Sequence, residues 1–387
     1  MRRILALGTA LLSALVLVAC GGSGSDGNQA PKVKFSSMVS FGDSLSDVGT
    51  YKVGMIAALG GGMYTVNSDS AKNWTTLVSA QLGLPAPCPA RTGLNGSVFG
   101  VSPAYHPECR NYAQGGSRVV HPFGPGNANL GGNNALLGQL TDSVEAQITR
   151  HLTVAGGSFS GTELVTVVAG ANDLFMQFQV LNALANGYFD VYAPGIAMWS
   201  DQDAASVYAA VPGGMNAVVG AMAPIMARKM SDAATDLANL IKTQIVANGA
   251  KYVLVMNMPN VSRTPFALGL NNPGLAAVLD GMTQAFNATL RTALAGTSGV
   301  KFGDAYASNT DQFNNPAQYG LTNVTTPACV LAAPANPIGS SLACSTANVI
   351  AGDVSKYLFA DGVHPSPYGQ FLLAQDAVKY LLAAGWL

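Results

Sequence analysis

Apolar positions along the chain fall into short continuous runs separated by stretches of helical spacing. Phe35 to Phe41 is apolar and β-branched and reads as a short buried strand. Leu45 to Leu59 can form a helix directly behind it. Asn73 to Leu82 places Trp74, Leu77, Val78 and Leu82 on one helical face. Leu140 to Thr153 has a mixed helical pattern, and Glu163 to Ala169 is the clearest buried strand. That run ends at Gly170, as a central strand of a parallel sheet does when a functional turn follows. Further on, Ala227 to Asn248 reads as a helix, Tyr252 to Met256 as a strand, Ala276 to Ala295 as a helix and Val300 to Phe302 as a short strand. Ser366 to Ala384 is the closing helix. Leu84 to Pro107, His121 to Gly132 and Thr310 to Gly352 read as loops. Met176 to Pro224 is long, aromatic and almost uncharged; it is an insertion between core elements or a helical cap. Strands alternating with helices predict an α/β fold: a parallel sheet with helices on both faces.

Charge changes this picture. Only 10% of the 387 residues are charged, against a typical ~25%, and 49% are apolar. The formal net charge is −1, which gives no electrostatic case for nucleic acid. A chain so poor in charge, with 44 glycines, suggests an exported protein with long uncharged loops. The N-terminus agrees. Arg2 and Arg3 precede an apolar run, Ile4 to Val18, that is too short to span a bilayer comfortably. It ends in Leu17-Val18-Ala19-Cys20, followed by glycines and serines, and resembles a bacterial lipoprotein signal with its lipobox. On that reading residues 1–19 are a signal peptide and Cys20 is lipidated. Residues 20–34 form a flexible tether, and 35–387 are one folded domain with an insertion at about 176–225. The protein would be anchored in a bacterial membrane, the outer one being expected. The alternative is an ordinary secretory signal cut near Ala19, giving a secreted protein. Five cysteines is an odd number for an exported chain. Setting Cys20 aside leaves Cys88, Cys109, Cys329 and Cys344, which allow three pairings. Local pairing, Cys88–Cys109 and Cys329–Cys344, is the expected one, because it would staple two Pro/Gly-rich loops.

Candidate chemistry begins where the first strand ends, at Gly42-Asp43-Ser44. A serine at the C-terminal end of a strand presents its hydroxyl at the sheet edge where open α/β folds bind ligands. A nucleophilic serine needs a base within hydrogen-bond reach, and the base needs an orienting group. Asp361-Gly362-Val363-His364-Pro365 supplies both, with a carboxylate and an imidazole three residues apart. Taken singly, such motifs are turns or helix caps: Gly115-Gly116 is a turn, Asn172-Asp173 a cap, His364 a surface turn residue. His106 and His121 sit in loops and read as surface residues. No H-E-x-x-H, Walker, dinucleotide or G-x-S-x-G pattern occurs, and neither a metal nor another cofactor is expected.

Four separated blocks taken together are more specific. They are Phe41-Gly42-Asp43-Ser44-Leu45-Ser46-Asp47-Val48-Gly49, Asn111-Tyr112-Ala113-Gln114-Gly115-Gly116-Ser117, Gly170-Ala171-Asn172-Asp173-Leu174 and Asp361-Gly362-Val363-His364-Pro365. In kind and order they resemble the GDSL family of serine esterases and lipases, also called SGNH hydrolases, and most of all its secreted bacterial lipase/phospholipase branch. The resemblance implies a three-layer α/β/α sandwich with a central, mostly parallel, flavodoxin-like sheet. It implies Ser44 as nucleophile, His364 as general base and then acid, and Asp361 as its orienting partner. The oxyanion donors it implies are the backbone N–H of Ser44, the backbone N–H of Gly116 and the side-chain amide of Asn172. Asp43, Asp47 and Asp173 read as supporting residues. The C-terminal membrane barrel of some secreted members is not expected here. The expected activity is hydrolysis of carboxylic esters of small molecules or lipids through an acyl-enzyme. Alternatives within enzymes are a phospholipase, acyl transfer to an alcohol, or a carbohydrate or polyester esterase. The alternative of another class is a ligand-binding surface lipoprotein on a dead hydrolase scaffold.

Overall fold

The computed structural model describes residues 32–387; residues 1–31, with the signal and Cys20, lie outside the described residues. Strands are β1 (Met38–Gly42), β2 (Arg91–Leu94), β3 (Val101–Tyr105), β4 (Leu164–Val168), β5 (Tyr252–Met256) and β6 (Val300–Gly303). β1, β4, β5 and β6 form one parallel sheet in that order. The segment Arg110 to Gln114 runs along the free edge of β1. Ser40 N–H donates to Arg110 O, Tyr112 N–H to Ser40 O and Gln114 N–H to Gly42 O, at 2.8–3.1 Å. With this irregular edge counted, the strand order is the doubly wound 2-1-3-4-5, and it is the order that reverses at β1 while the strands stay parallel.

Alternation along the strands divides the core into two layers. Val39, Phe41, Val165, Val167, Val253 and Val255 point to one face. There they pack against the helices Val144–Val154, Ala171–Phe178, Met215–Leu240 and Pro273–Leu294. Met38, Leu164, Val168, Leu254 and Met256 point to the other and meet Trp74–Gln81 and Pro367–Ala383. The central strands are buried on both faces, which is why they read as continuous apolar runs. Asn73, Ser143 and Ser366 cap three of the helices by accepting backbone N–H bonds from their first turns. The three-layer α/β/α architecture is therefore the expected one.

Three local expectations need correction. No helix follows Ser44 directly. Asp43 and Asp47 side chains accept the N–H groups of Leu45, Gly49 and Thr50, and these bonds hold the chain in turns. The helix starts only at Gly54 and ends at Ala58, so Ser44 does not lie at the positive end of one. Leu84 to Pro107 is not all loop: β2 and β3 form an antiparallel hairpin with a register shift between Thr92 and Leu94. Its strands contain Gly93 and Pro103, which read as breakers in the sequence. The helix expected from Ala227 begins at Met215 and runs through Pro224. A proline inside a helix costs about 3 kcal/mol. Burying Val218, Met222 and Ile225 returns about 1.5–3 kcal/mol for each side chain, so burial wins. Both expected disulfides are present, Cys88–Cys109 and Cys329–Cys344.

The end of β1 is the tightest point of the sheet. Gly42 has φ +143°, and a Cβ there would lie 2.0 Å from the Val168 carbonyl oxygen. Gly42→Ala is expected to lower stability by about 2–4 kcal/mol, read as a shift in the urea midpoint; an unchanged midpoint would show that β1 and β4 can separate at no cost.

Candidate active site

Ser44 leaves β1 at the C-terminal edge of the sheet, at the strand where the order reverses. The loop before the last helix brings Asp361 and His364 to it from 320 positions away along the chain. His364 Nε2 lies 2.8 Å from Ser44 Oγ, and His364 Nδ1 lies 2.8 and 2.9 Å from the two carboxylate oxygens of Asp361. Asp361 also accepts N–H bonds from Ser341, Val363 and His364 at 2.8–2.9 Å. Burial raises the pKa of this carboxyl, but the His364 ring and the hydrogen bonds outweigh it and hold the group well below the usual carboxylate range. Asp361 is therefore held in its ionised form beside the His364 ring.

The second and third blocks reach the same place. Ser44, Gly116, Asn172 and His364 line one cleft of about 1220 Å³. Gly116 takes φ +84°, and a Cβ there would meet Pro125 O at 2.4 Å and the Thr141 methyl at 2.7 Å. Only glycine brings its backbone N–H to that position. Asn172, in the first turn of the helix Ala171–Phe178, donates one amide N–H to Ser117 O at 2.8 Å. Its second amide hydrogen is left for the cleft. From the sheet edge the cleft extends under the helices Val180–Ala185 and Phe189–Gly195. Phe175, Phe178, Leu181, Val191 and Tyr192 line it there, with Phe266 packed edge-to-face against Phe175 and Phe178. The aromatic segment Met176 to Pro224 thus divides: Phe178, Leu181, Val191 and Tyr192 wall the cleft, while Phe189, Trp199 and Val207 are buried in the core.

Supporting carboxylates hold the blocks together. Asp47 accepts Gly49 and Thr50 N–H on one oxygen and Gly115 N–H on the other, at 2.8–2.9 Å. Asp173 accepts Arg118 Nε at 2.8 Å and Val119 N–H at 2.9 Å. Arg118 is fully buried and also donates to Ile196 O at 2.7 Å, so it ties the second block to the third and to the cleft wall. The Asp43 carboxyl is poorly paired: one oxygen accepts Leu45 N–H at 3.1 Å and the other has no partner. Burial pushes its carboxyl up to about 7, and that of Asp47 up to about 6. His106 and His121 are half-buried, and each bonds a neighbour, Thr92 Oγ1 at 3.0 Å and Gly195 O at 3.1 Å. Neither reaches the site.

Several contributors were not read from the sequence. Tyr64 lies over the His364 ring with centroids 4.6 Å apart. Gln147 is fully buried and bonds both backbone groups of Gly42 at 2.8 Å. Ser341 reaches Asp361 from the loop closed by Cys329–Cys344. None of these carries a local signal. Arg118 does: it is the one charged side chain between Arg110 and Asp142, His121 being counted neutral, and it stands beside a glycine pair. A lone cation in so apolar a stretch calls for a buried partner.

Residues 38–377 match the sequence model of the GDSL-like lipase/acylhydrolases. A GDSL esterase/lipase of Arabidopsis thaliana is 34% identical over 90 residues. That stretch is 23% of this chain and 23% of the relative, so the chain spans less than a quarter of the relative's length in this match.

Asp43 supplies a pH test. An acid whose pKa is raised on folding stabilises the native state below its unfolded value and loses that stabilisation as pH rises toward the folded value. Between pH 4 and 8 the Tm of Asp43→Asn should therefore rise relative to wild type, by roughly 2–4 °C. Thermal melts of both proteins across that range check it; a constant difference would mean that Asp43 is ionised and at ease in the native protein.

Proposed function

The chain belongs to the GDSL-like lipase/acylhydrolase family, whose chemistry is esterase/lipase-type hydrolysis, and on that premise we propose that it hydrolyses carboxylic esters through a Ser44–His364–Asp361 triad. The observation that carries this reading is the unbroken contact from Ser44 Oγ through the His364 ring to the Asp361 carboxylate, at 2.8 Å at each step.

Ser44 Oγ attacks the ester carbonyl carbon as His364 Nε2 takes its proton. Asp361 keeps the Nδ1 proton in place and stabilises the charged ring. Negative charge gathers on the former carbonyl oxygen. The N–H groups of Ser44 and Gly116 and the free amide hydrogen of Asn172 receive it; each such donor is worth ~10²–10³ in rate. His364 then protonates the departing alcohol, leaving an acyl group on Ser44. A water, deprotonated by His364, attacks that acyl carbon and releases the acid and the free hydroxyl of Ser44. The apolar arm of the cleft takes the acyl chain. Its ~1220 Å³ exceeds the ~300–1,000 Å³ of ordinary small-molecule sites, which favours a long-chain or lipid ester over an acetyl ester.

Two disulfides suggest that the protein works outside the cytoplasm. No helix among the described residues is long and apolar enough to cross a membrane. Lipid anchoring through Cys20, with residues 20–34 as tether, is the proposed means of attachment.

Hydrolysis of a p-nitrophenyl ester series from acetyl to palmitoyl tests the reaction. Ser44→Ala should lose at least ~10³-fold in kcat while keeping its fold, and the wild type should prefer the longer chains. Retained turnover in Ser44→Ala would remove the triad assignment. Product esters on addition of an alcohol would make the enzyme an acyltransferase as well. Cys20→Ala should move the protein from the membrane to the soluble fraction, and unchanged fractionation would dismiss the anchor.

A further inference from the structure

Oxyanion stabilisation needs an N–H that already points at the place where charge develops. The N–H of Gly116 belongs to the peptide unit that it shares with Gly115. That unit is trans, and in a planar trans peptide the C=O and the N–H point in opposite directions. Whatever holds the Gly115 carbonyl therefore sets the direction of the Gly116 N–H. The holder is Tyr51: its hydroxyl donates to Gly115 O at 2.6 Å. Tyr51 is fully buried, and its oxygen in turn accepts the Thr141 N–H at 3.4 Å. Burial raises its pKa well above the ordinary tyrosine value, so the hydroxyl keeps its proton.

The surroundings leave this peptide little freedom. Asp47 accepts the Gly115 N–H at 2.9 Å, so the peptide units on the two sides of Gly115 are tied to Asp47 and Tyr51 of the loop that follows Ser44. A Cβ on Gly115 would lie 2.1–2.3 Å from the Tyr64 ring and hydroxyl, and behind Gly116 stand Pro125 O and Thr141. Tyr51 and Asp47 sit four residues apart at the two ends of one turn, the turn that replaces the helix expected after Ser44. The same loop thus carries the serine and orients a donor for the anion that the serine creates.

We propose that Tyr51 is a positioning residue of this enzyme: its hydroxyl, by binding the Gly115 carbonyl, aims the Gly116 N–H at the developing oxyanion. The inference rests on the reading of Gly116 as an oxyanion donor. A second side-chain donor reaches that carbonyl. The Gln139 amide, turned with its nitrogen inward, reaches Gly115 O at 3.3 Å. This longer bond keeps part of the orientation, so losing the Tyr51 hydroxyl should cost less than the ~10²–10³ that follows removal of a whole donor.

Tyr51→Phe removes the hydroxyl and leaves the ring. Rates should be taken per active serine, titrated with a fluorophosphonate, so that loss of folded protein does not enter. The expected result is a fall in kcat of about tenfold with KM within about twofold. An alkyl boronic acid, which forms a tetrahedral anion on Ser44, should bind about tenfold more weakly. A tyrosine with a purely structural role would lower Tm but leave kcat per active site and boronate affinity unchanged; that result overturns the proposal. If Tyr51→Phe does not fold, Asp47→Asn loosens the same glycine from its other side. Weaker boronate binding there supports the clamp, and wild-type binding overturns it. Ser44→Ala, assayed alongside, separates the two levels. Turnover surviving in Ser44→Ala removes the triad itself, whereas wild-type kcat in Tyr51→Phe removes only the role of Tyr51.

Discussion

The contact of β1 with β4 at Gly42 is the constraint from which the site follows. Gly42 lies so close to the Val168 carbonyl that no side chain fits between them. Both of its backbone groups are taken by Gln147, and its carbonyl also accepts Gln114 N–H. The strand end is therefore fixed against the central strand, the helix Val144–Val154 and the second block at once. Ser44 is two residues further on. Its 2.8 Å contact with a histidine 320 positions away survives only if both chain segments are held to within a few tenths of an ångström. Parallel sheets deliver functional loops at one edge, and here the anchoring of that edge sets the precision of delivery.

A chain with so few charges uses several of the ones it has inside. Asp47, Asp173, Arg118 and Asp361 are all buried, and each is paired with backbone groups or with another of the set. Such arrangements add little net stability over apolar packing, because desolvation offsets most of the attraction. Breaking one leaves an unpaired buried charge, however, which is costly. They act as geometric specifications. Asp47 sets the distance from the first block to the second. The Asp173–Arg118 pair sets the second block against the third and against the cleft wall. The disulfides do comparable work on the loops: Cys329–Cys344 closes the one from which Ser341 reaches Asp361.

The parts that could be read from the chain were those with a repeating physical signal. Glu163 to Ala169 and Tyr252 to Met256 were legible because strands covered on both faces must be apolar throughout. That Ser44, His364 and Asp361 belong together was legible because nucleophile, base and orienting group are a set of residue types, and the structure brings these three into contact. Where local rules failed, tertiary contacts had overruled them. Pro224 reads as a stop, yet the helix continues because Val218 and Met222 are buried against the core. Gly93 and Pro103 read as loop, yet they lie within the two strands of a hairpin, at its register shift, and Cys88–Cys109 closes its base. Leu45 to Leu59 has the composition of a helix, but two aspartates capture its backbone N–H groups.

By itself, then, the sequence determined the class of fold, a parallel sheet with helices on both faces, and the polar residue types that stand in four blocks of fixed order. These depend on hydrophobic periodicity and on functional-group type, both of which are written residue by residue. Tertiary structure alone decided how those groups meet. The bond from Tyr51 to the Gly115 carbonyl, the tilted ring contact of Tyr64 with His364, the reach of Ser341 to Asp361 and the shape of the apolar arm join residues far apart in the chain. Each depends on directions and distances between elements, to which no local pattern corresponds.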